Sequence, residues 1–280
     1  MPTTLPLAGL TFSLAGPGRV GTSLAAWLEA AGARRVAVAG RRDLADLSSS
    51  GQDLLLVSVP DPGLLEVAEV LARRPQAAVA LHTSGCLDAS ALAPLRAAGS
   101  AVGSLHPLKA FPRPLPDPAQ ARGVFFAVDG DPPAAALAHR LAAAWGGVSG
   151  EISAEARPLY HFAATLAAGG VVTLLALAED LARRLGLPEA AVRGYLELCR
   201  GAVAQAIETG APAEVLTGPA ARGDREVVAR HLETLRRLAP DKLPLVLHLA
   251  RETLRQKERI GELTAEQRKL LDTLDMPPDV

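Results

Sequence analysis

Short apolar runs alternate with amphipathic stretches through the first half of the chain. Leu10–Ala15, Arg35–Ala39, Asp53–Pro60, Ala77–Leu81, Ala101–Leu105 and Val124–Val128 read as strands, most of them runs of the kind that lie buried on both faces of a parallel sheet. Helical patterns fall between them at Thr22–Ala31, Leu64–Arg73, Asp88–Leu95 and Ala134–Ala144, with Asp88 as a cap. Strands in alternation with helices predict an α/β domain with a doubly wound, mostly parallel sheet. The pattern changes near residue 150. From Ala154 only helical periodicity is seen, at Glu155–Leu185, Pro188–Thr209, Asp224–Leu238 and Leu243–Ile260. Asp224 is expected to cap the third of these, and Thr264 with Gln267 forms a capping box for a short last helix. The expected division is therefore 1–150 for the sheet domain and 151–280 for an all-α domain.

The stretch Leu10–Gly21, LTFSLAGPGRVG, carries the first candidate chemistry. Gly16, Gly18 and Gly21 give G-x-G-x-x-G between a strand and a helix, within a β-α-β unit. Gly16 permits the tight turn, Gly18 a close backbone approach by a pyrophosphate, and Gly21 close packing of helix on strand. The backbone of Gly16, Pro17, Gly18, Arg19, Val20 and Gly21 would then meet the phosphates at the helix N-terminus. About 20 residues beyond the glycines, a site for NAD places a carboxylate on the ribose 2′-hydroxyl. Here the chain reads Gly40-Arg41-Arg42. Two guanidiniums suit a 2′-phosphate, so NADP is expected. Flavin or S-adenosylmethionine is a weaker reading of the same loop.

Ligands of such sheets sit beyond the carboxyl ends of the strands. Val59-Pro60, Thr83-Ser84-Gly85 and His106 to Lys109 are expected there, the first two groups on the cofactor and Lys109 on substrate. His106 is a candidate proton donor or acceptor. Arg157, His161 and Thr165 are spaced by four, with Gly169 next in line, and form a polar stripe on an apolar helix. Arg157 or His161 is expected on substrate, with Tyr160 directed elsewhere. Arg222, in TGPAARGD, is a candidate clamp for a carboxylate.

Composition narrows the function. The 280 residues are 49% hydrophobic and 21% charged, which indicates a globular chain. A net charge of -1 gives no pull on nucleic acid. The two cysteines form no metal pattern or disulfide framework, and the first ten residues lack the charged region of a secretory leader, so a cytoplasmic protein is expected. Absence of asparagine and the 22 prolines suggest heat adaptation. Phe162–Ala178 is long and apolar enough to touch the lower bound of a membrane span. Its threonines and glycines, and its place in a soluble pattern, favour burial in a helical core or a homodimer interface, with Gly169-Gly170 allowing close helix approach.

GPGRVG, VSVPD, HTSG, SLHPLKAF, YHFAATLAAGG and GPAARGD, in that order, resemble the Rossmann-like oxidoreductases whose C-terminal half is a domain of unknown function numbered 2520. The wider group is similar to ketopantoate reductase, pyrroline-5-carboxylate reductase and 6-phosphogluconate dehydrogenase. The resemblance implies a Rossmann domain followed by a helical domain of the 6-phosphogluconate dehydrogenase C-terminal type, which commonly makes the dimer. His106 resembles the histidine of the His-Pro element in prephenate dehydrogenases. Relatives often carry a Lys where this chain has Arg157 and an Asn where it has Gly169, so catalysis would fall to His106 or His161 with Arg157 orienting the substrate. The implied activity is NADP-dependent reduction of a small carboxylated ketone or imine, such as 2-dehydropantoate. The alternative is a non-catalytic dinucleotide-binding sensor or assembly protein.

Overall fold

The computed structural model describes residues 5–275. Residues 1–4, part of the stretch read for a leader, and residues 276–280 lie outside the described residues. One compact unit runs to Val172 and the second begins at Thr173. The expected boundary near residue 150 marks the end of the sheet, and the first turns of the next helix belong with that sheet unit.

Seven strands form one sheet: β1 (Thr11–Ala15), β2 (Arg34–Ala39), β3 (Leu54–Val57), β4 (Val79–His82), β5 (Ala101–Pro107), β6 (Phe125–Gly130) and β7 (Val148–Glu151). Their order is β2-β1-β3-β4-β5-β6-β7. The first five run parallel, β6 is antiparallel to β5, and β7 is parallel to β6. The chain moves outward from β1 to β2, then crosses back to β3 on the other side of β1. That reversal is the switch point at which doubly wound sheets open a crevice beyond the strand ends. Leu54–Val57 and Val79–His82 are buried along their whole length, the continuous apolar run expected of central parallel strands.

Helices α1 (Arg19–Ala30), α2 (Leu64–Leu71), α3 (Ala93–Ala97) and α4 (Pro132–Ala144) cover the sheet. One apolar core gathers Phe12, Leu14, Trp27, Leu54, Leu81, Phe126 and Leu141 on one side, and a second gathers Val57, Leu64, Ala68, Leu92 and Val102 on the other. A sheet with two buried faces and helices on both is the layered solution for strands this apolar. Asp88 caps the turn Ala89–Leu92 as predicted, with Oδ1 accepting from Ser90 N at 2.8 Å.

The helix beginning at Arg157 has three parts: α5 (Arg157–Thr165), a π-helical turn (Leu166–Gly170) and α6 (Val171–Arg184). The second unit continues with α7 (Glu189–Thr209), α8 (Pro219–Arg222), α9 (Arg225–Leu238), α10 (Leu243–Arg259) and α11 (Ala265–Asp275). Val228, Leu232, Leu254, Leu270 and Leu271 make its core. The capping box of α11 is formed, with Gln267 Oε1 accepting from Thr264 N at 2.6 Å and Thr264 Oγ1 accepting from Gln267 N at 3.3 Å. Asp224 stands at the N-cap of α9 but does not cap it. Its carboxylate instead accepts from Arg222 Nε at 3.0 Å and Nη2 at 2.8 Å.

Burial of Phe162–Ala178 within the chain is not observed. An 18-residue window of Arg157–Arg184 is long and apolar enough to cross a membrane, and none of it is buried. Phe162 is 57% and Val172 65% exposed. Among the described residues, a Cβ added at Gly169 or Gly170 would meet only Thr165 and Leu166 of the same helix.

Candidate functional site

The glycine turn occupies the switch point, and each glycine has the place its role requires. Gly16 has φ +91°, and a Cβ there would lie 2.3 Å from the carbonyl oxygen of Ser58, which follows β3. No other residue fits between the ends of β1 and β3. Gly21 faces inward from the first turn of α1, where a Cβ would lie 2.3 Å from Gly16 O and 3.1 Å from Leu14 Cδ1. Gly18 is the N-cap of α1 in ordinary extended conformation, without a side-chain cap, and a Cβ would meet nothing within 4 Å. The first N–H groups of α1 have no side-chain cap, and the positive end of the helix dipole lies behind them. Pro17 holds the turn, its carbonyl accepting from Thr22 Oγ1 at 3.1 Å.

Arg41 and Arg42 lie exposed in the turn after β2. Among the described residues neither guanidinium makes a side-chain hydrogen bond or ion pair, so both are free for an anionic group. Arg19, exposed at the start of α1, reaches Pro112 O at 3.4 Å. Val20 packs against the core and Val59 against the second apolar cluster, while Pro60 is exposed beyond β3. An open glycine cradle, free helix N–H groups and two unpaired guanidiniums fit a dinucleotide carrying an extra phosphate.

The loop after β4 is largely structural. His82 is fully buried, its Nε2 2.9 Å from Asp88 O, while its Nδ1 accepts from Ser84 N at 3.2 Å. A ring that accepts at Nδ1 and donates at Nε2 is neutral. Burial drives its pKa down to about 4, with Arg157 pushing the same way. Ser84, expected on the cofactor, is also buried. Its hydroxyl donates to Asp61 Oδ2 at 2.9 Å and accepts from Leu87 N at 3.0 Å, which locks the loop. Thr83 remains half-buried, its hydroxyl donating to Ser58 Oγ at 3.1 Å.

Beyond β5, a hollow of about 530 Å³ opens between His106–Ala110 and the face of α5. Its polar lining comes from His106, Lys109, Tyr160, His161 and Thr165, and alanines supply much of the rest. The structure thus brings together four predicted residues, His106, Lys109, His161 and Thr165. His106 Nδ1 lies 2.9 Å from Tyr160 Oη. The His106 ring stands edge-to-face to both Tyr160 and His161, at 5.6 Å and 5.8 Å between centroids. Gly85 is the floor beneath them. A Cβ there would lie 2.7 Å from both His106 Nε2 and His161 Cδ2, so a side chain would separate the rings. Burial lowers the pKa of His106 to about 4, with His161, Arg157 and His82 adding repulsion. Burial also raises the pKa of Tyr160, although Arg157 opposes this.

Three expectations require correction. Tyr160, read as directed elsewhere, faces His106, because a helical residue shares its face with residues three and four along and not only with the stripe passing through its neighbour. Arg157, read as a substrate contact, is wholly buried. Its Nη1 donates to Leu87 O at 3.2 Å, its Nη2 bonds Ser104 Oγ, and its Nε lies 3.6 Å from Asp129 Oδ2. It fastens α5 to the ends of β4, β5 and β6. Gly169 does not continue the stripe. The hollow is lined instead by Ala164, Ala167 and Ala168, and Gly169 lies off that face. Arg222 lies in the second unit, where it pairs with Asp224 at 2.8 Å.

No curated protein matches the sequence. Many solved structures share the fold. A Bacteroides fragilis protein, named provisionally as an NADP oxidoreductase, aligns with a TM-score of 0.72 at 22% identity, covering 89% of this chain and 98% of its own. A Thermotoga maritima protein aligns at 0.66 and 23% identity, covering 94% and 98%. The NADP-bound pyrroline carboxylate reductase of Plasmodium falciparum aligns at 0.55 and 12% identity, covering 95% and 99%. Residues 124–259, just under half of the chain, match the family model described as "Domain of unknown function (DUF2520)", and over that stretch the chain is similar to that family.

Proposed function

We propose that the protein is an NADP-dependent oxidoreductase that reduces a small carboxylated ketone or imine. The observation that carries this reading is the glycine cradle. Gly16 and Gly21 are fixed by contacts that exclude a side chain, whereas Gly18 opens on empty space. A purely structural turn would give no reason for that difference. The names of the Bacteroides fragilis and Plasmodium falciparum proteins, both of which mention NADP, point the same way.

The backbone of Gly16–Gly21 would hold the pyrophosphate, and Arg41 and Arg42 the 2′-phosphate. A reduced nicotinamide, when bound, supplies hydride. The remaining work falls to the residues of the hollow. Lys109 offers a cation to a substrate carboxylate, and Thr165 and His161 offer polar contacts. His106 is our candidate for the proton donor to the reacting oxygen or nitrogen. Because His106 is held neutral down to about pH 4, its working form at pH 7 is an imidazole, not an imidazolium. Arg157 orders the loops beneath the site without touching substrate.

Titration of the pure protein with NADPH and with NADH, followed by nicotinamide fluorescence, tests this. The expected result is tight NADPH and weaker NADH binding, with the NADPH preference reduced at least tenfold in Arg41→Ala/Arg42→Ala. Binding of neither dinucleotide would remove the oxidoreductase reading. Binding without turnover of any keto or imino acid would favour the sensor.

A further inference from the structure

We infer that Tyr160 fixes the tautomer of His106, so that the ring presents Nε2–H as a hydrogen-bond donor to the hollow and the group received there is an uncharged oxygen acceptor, a ketone carbonyl, in place of a protonated imine. This inference rests on the function proposed above and narrows its substrate class.

The argument is one of hydrogen-bond supply. Tyr160 has one hydroxyl hydrogen, and among the described residues its only hydrogen-bond partner is His106 Nδ1, at 2.9 Å. If Nδ1 carried the hydrogen and donated to Tyr160, the tyrosine hydrogen would be left without a protein acceptor in a half-buried place. If Tyr160 donates, both groups are satisfied by one bond. A neutral ring that accepts at Nδ1 must carry its hydrogen on Nε2. Burial supports this by keeping the proton on Tyr160 and removing the second one from His106. The edge-to-face contacts with Tyr160 and His161 hold the ring in place, as does the close floor of Gly85.

Among the described residues Nε2 has no hydrogen-bond partner, it is not one of the sealed orphan atoms Gln76 Oε1, Trp145 Nε1 and Arg157 Nε, and His106 lines the hollow. A donor there matches the lone pairs of a carbonyl oxygen. A protonated imine has no lone pair on nitrogen and would oppose one N–H with another. The buried guanidinium of Arg157, next to this cluster, further disfavours a cation.

Long-range proton–nitrogen correlation on protein labelled with nitrogen-15 histidine, at pH 7.5 without cofactor, reads the tautomer directly. The His106 signals are those absent from His106→Gln. The expected pattern is a protonated Nε2 and a bare Nδ1 in the wild type, turning to a mixture of tautomers in Tyr160→Phe. A protonated Nδ1 in the wild type, or an unchanged pattern in Tyr160→Phe, overturns the inference. Initial rates with NADPH then compare 2-oxobutanoate with 1-pyrroline-2-carboxylate. At least a tenfold preference for the ketone is expected, and faster turnover of the imine overturns the substrate class. Failure of the NADPH titration would remove the reductase reading while leaving the tautomer result standing, so the two failures are distinct.

Discussion

At the residue scale, two glycines of one motif separate folding from binding. Gly16→Ala would force a side chain into φ +91° with its Cβ 2.3 Å from Ser58 O. Strained backbone and overlap together should cost at least ~2 kcal/mol. Gly18→Ala has an ordinary φ of -76° and no neighbour within 4 Å. Because Gly18 is the N-cap of α1, where glycine is favoured over alanine, the cost should be about 0.5–1 kcal/mol, below that of Gly16→Ala. If the open side of Gly18 is where a pyrophosphate lies, the same methyl should reduce NADPH affinity tenfold or more. Urea midpoints and NADPH titrations on both variants decide this. Gly18→Ala with unchanged affinity would mean that no ligand approaches that face. The glycines were legible in the sequence because backbone sterics act locally. Tyr160 and Arg157 were not, because their roles depend on which side chains other elements bring opposite them. Nothing in the residues near Arg157 announces Ser104, Asp129 and the carbonyl of Leu87 as its partners.

At the element scale, the strands easiest to read were those buried on both faces. Leu54–Val57 could hardly be anything else. β7, with sequence Val148-Ser149-Gly150-Glu151, was missed because it is an edge strand with no buried residue and no apolar alternation. The antiparallel run of β6 was equally hidden, since direction depends on how the Pro-rich link from Phe111 to Pro118 returns the chain. The end of β4 gives a testable consequence of burial. His82 is neutral in the fold, with a pKa near 4, against an ordinary value of 6.5. The folded pKa is depressed, so stability is full above pH 6.5 and is lost as pH falls toward 4, where the unfolded chain takes up a proton that the fold refuses. Between pH 7.5 and pH 4.5 the loss from this one group should be about 2–3 kcal/mol. His106, lowered to about 4 as well, adds a second loss in the same window, whereas Asp53, Asp88 and Asp131, whose pKa values are lowered from 3.8, contribute mainly below it. Urea midpoints across the window should fall in the parent and fall less steeply in His82→Gln. Equal slopes would show that another group dominates.

At the scale of the whole molecule, the apolar surface left in solvent calls for a partner. On α7, Leu196, Val203 and Ile207 follow one another at helical spacing on one face, and they are 48%, 40% and 75% exposed. Leu198 on the same helix is 70% exposed, and Phe162 and Leu166 add to the tally on the helix that begins at Arg157. Monomeric soluble proteins rarely leave contiguous apolar patches of this kind uncovered. A membrane could cover the Arg157–Arg184 helix by length alone, but its first turns are committed elsewhere. Arg157 is bonded into the sheet ends, and His161 and Thr165 line the hollow, places that lipid would desolvate without compensation. A second copy of the chain can cover α7 while leaving those residues in place, and a twofold would bury each exposed side chain twice, at about 1.5–3 kcal/mol for each fully buried one. We therefore expect the protein to purify without detergent and to sediment at twice the chain mass. Val203→Glu/Ile207→Glu, which places two carboxylates in that face, should sediment as a monomer with an unchanged helical circular-dichroism signal. A parent that sediments at the chain mass, or that is recovered only from membranes with detergent, would assign the apolar face to a different occupant.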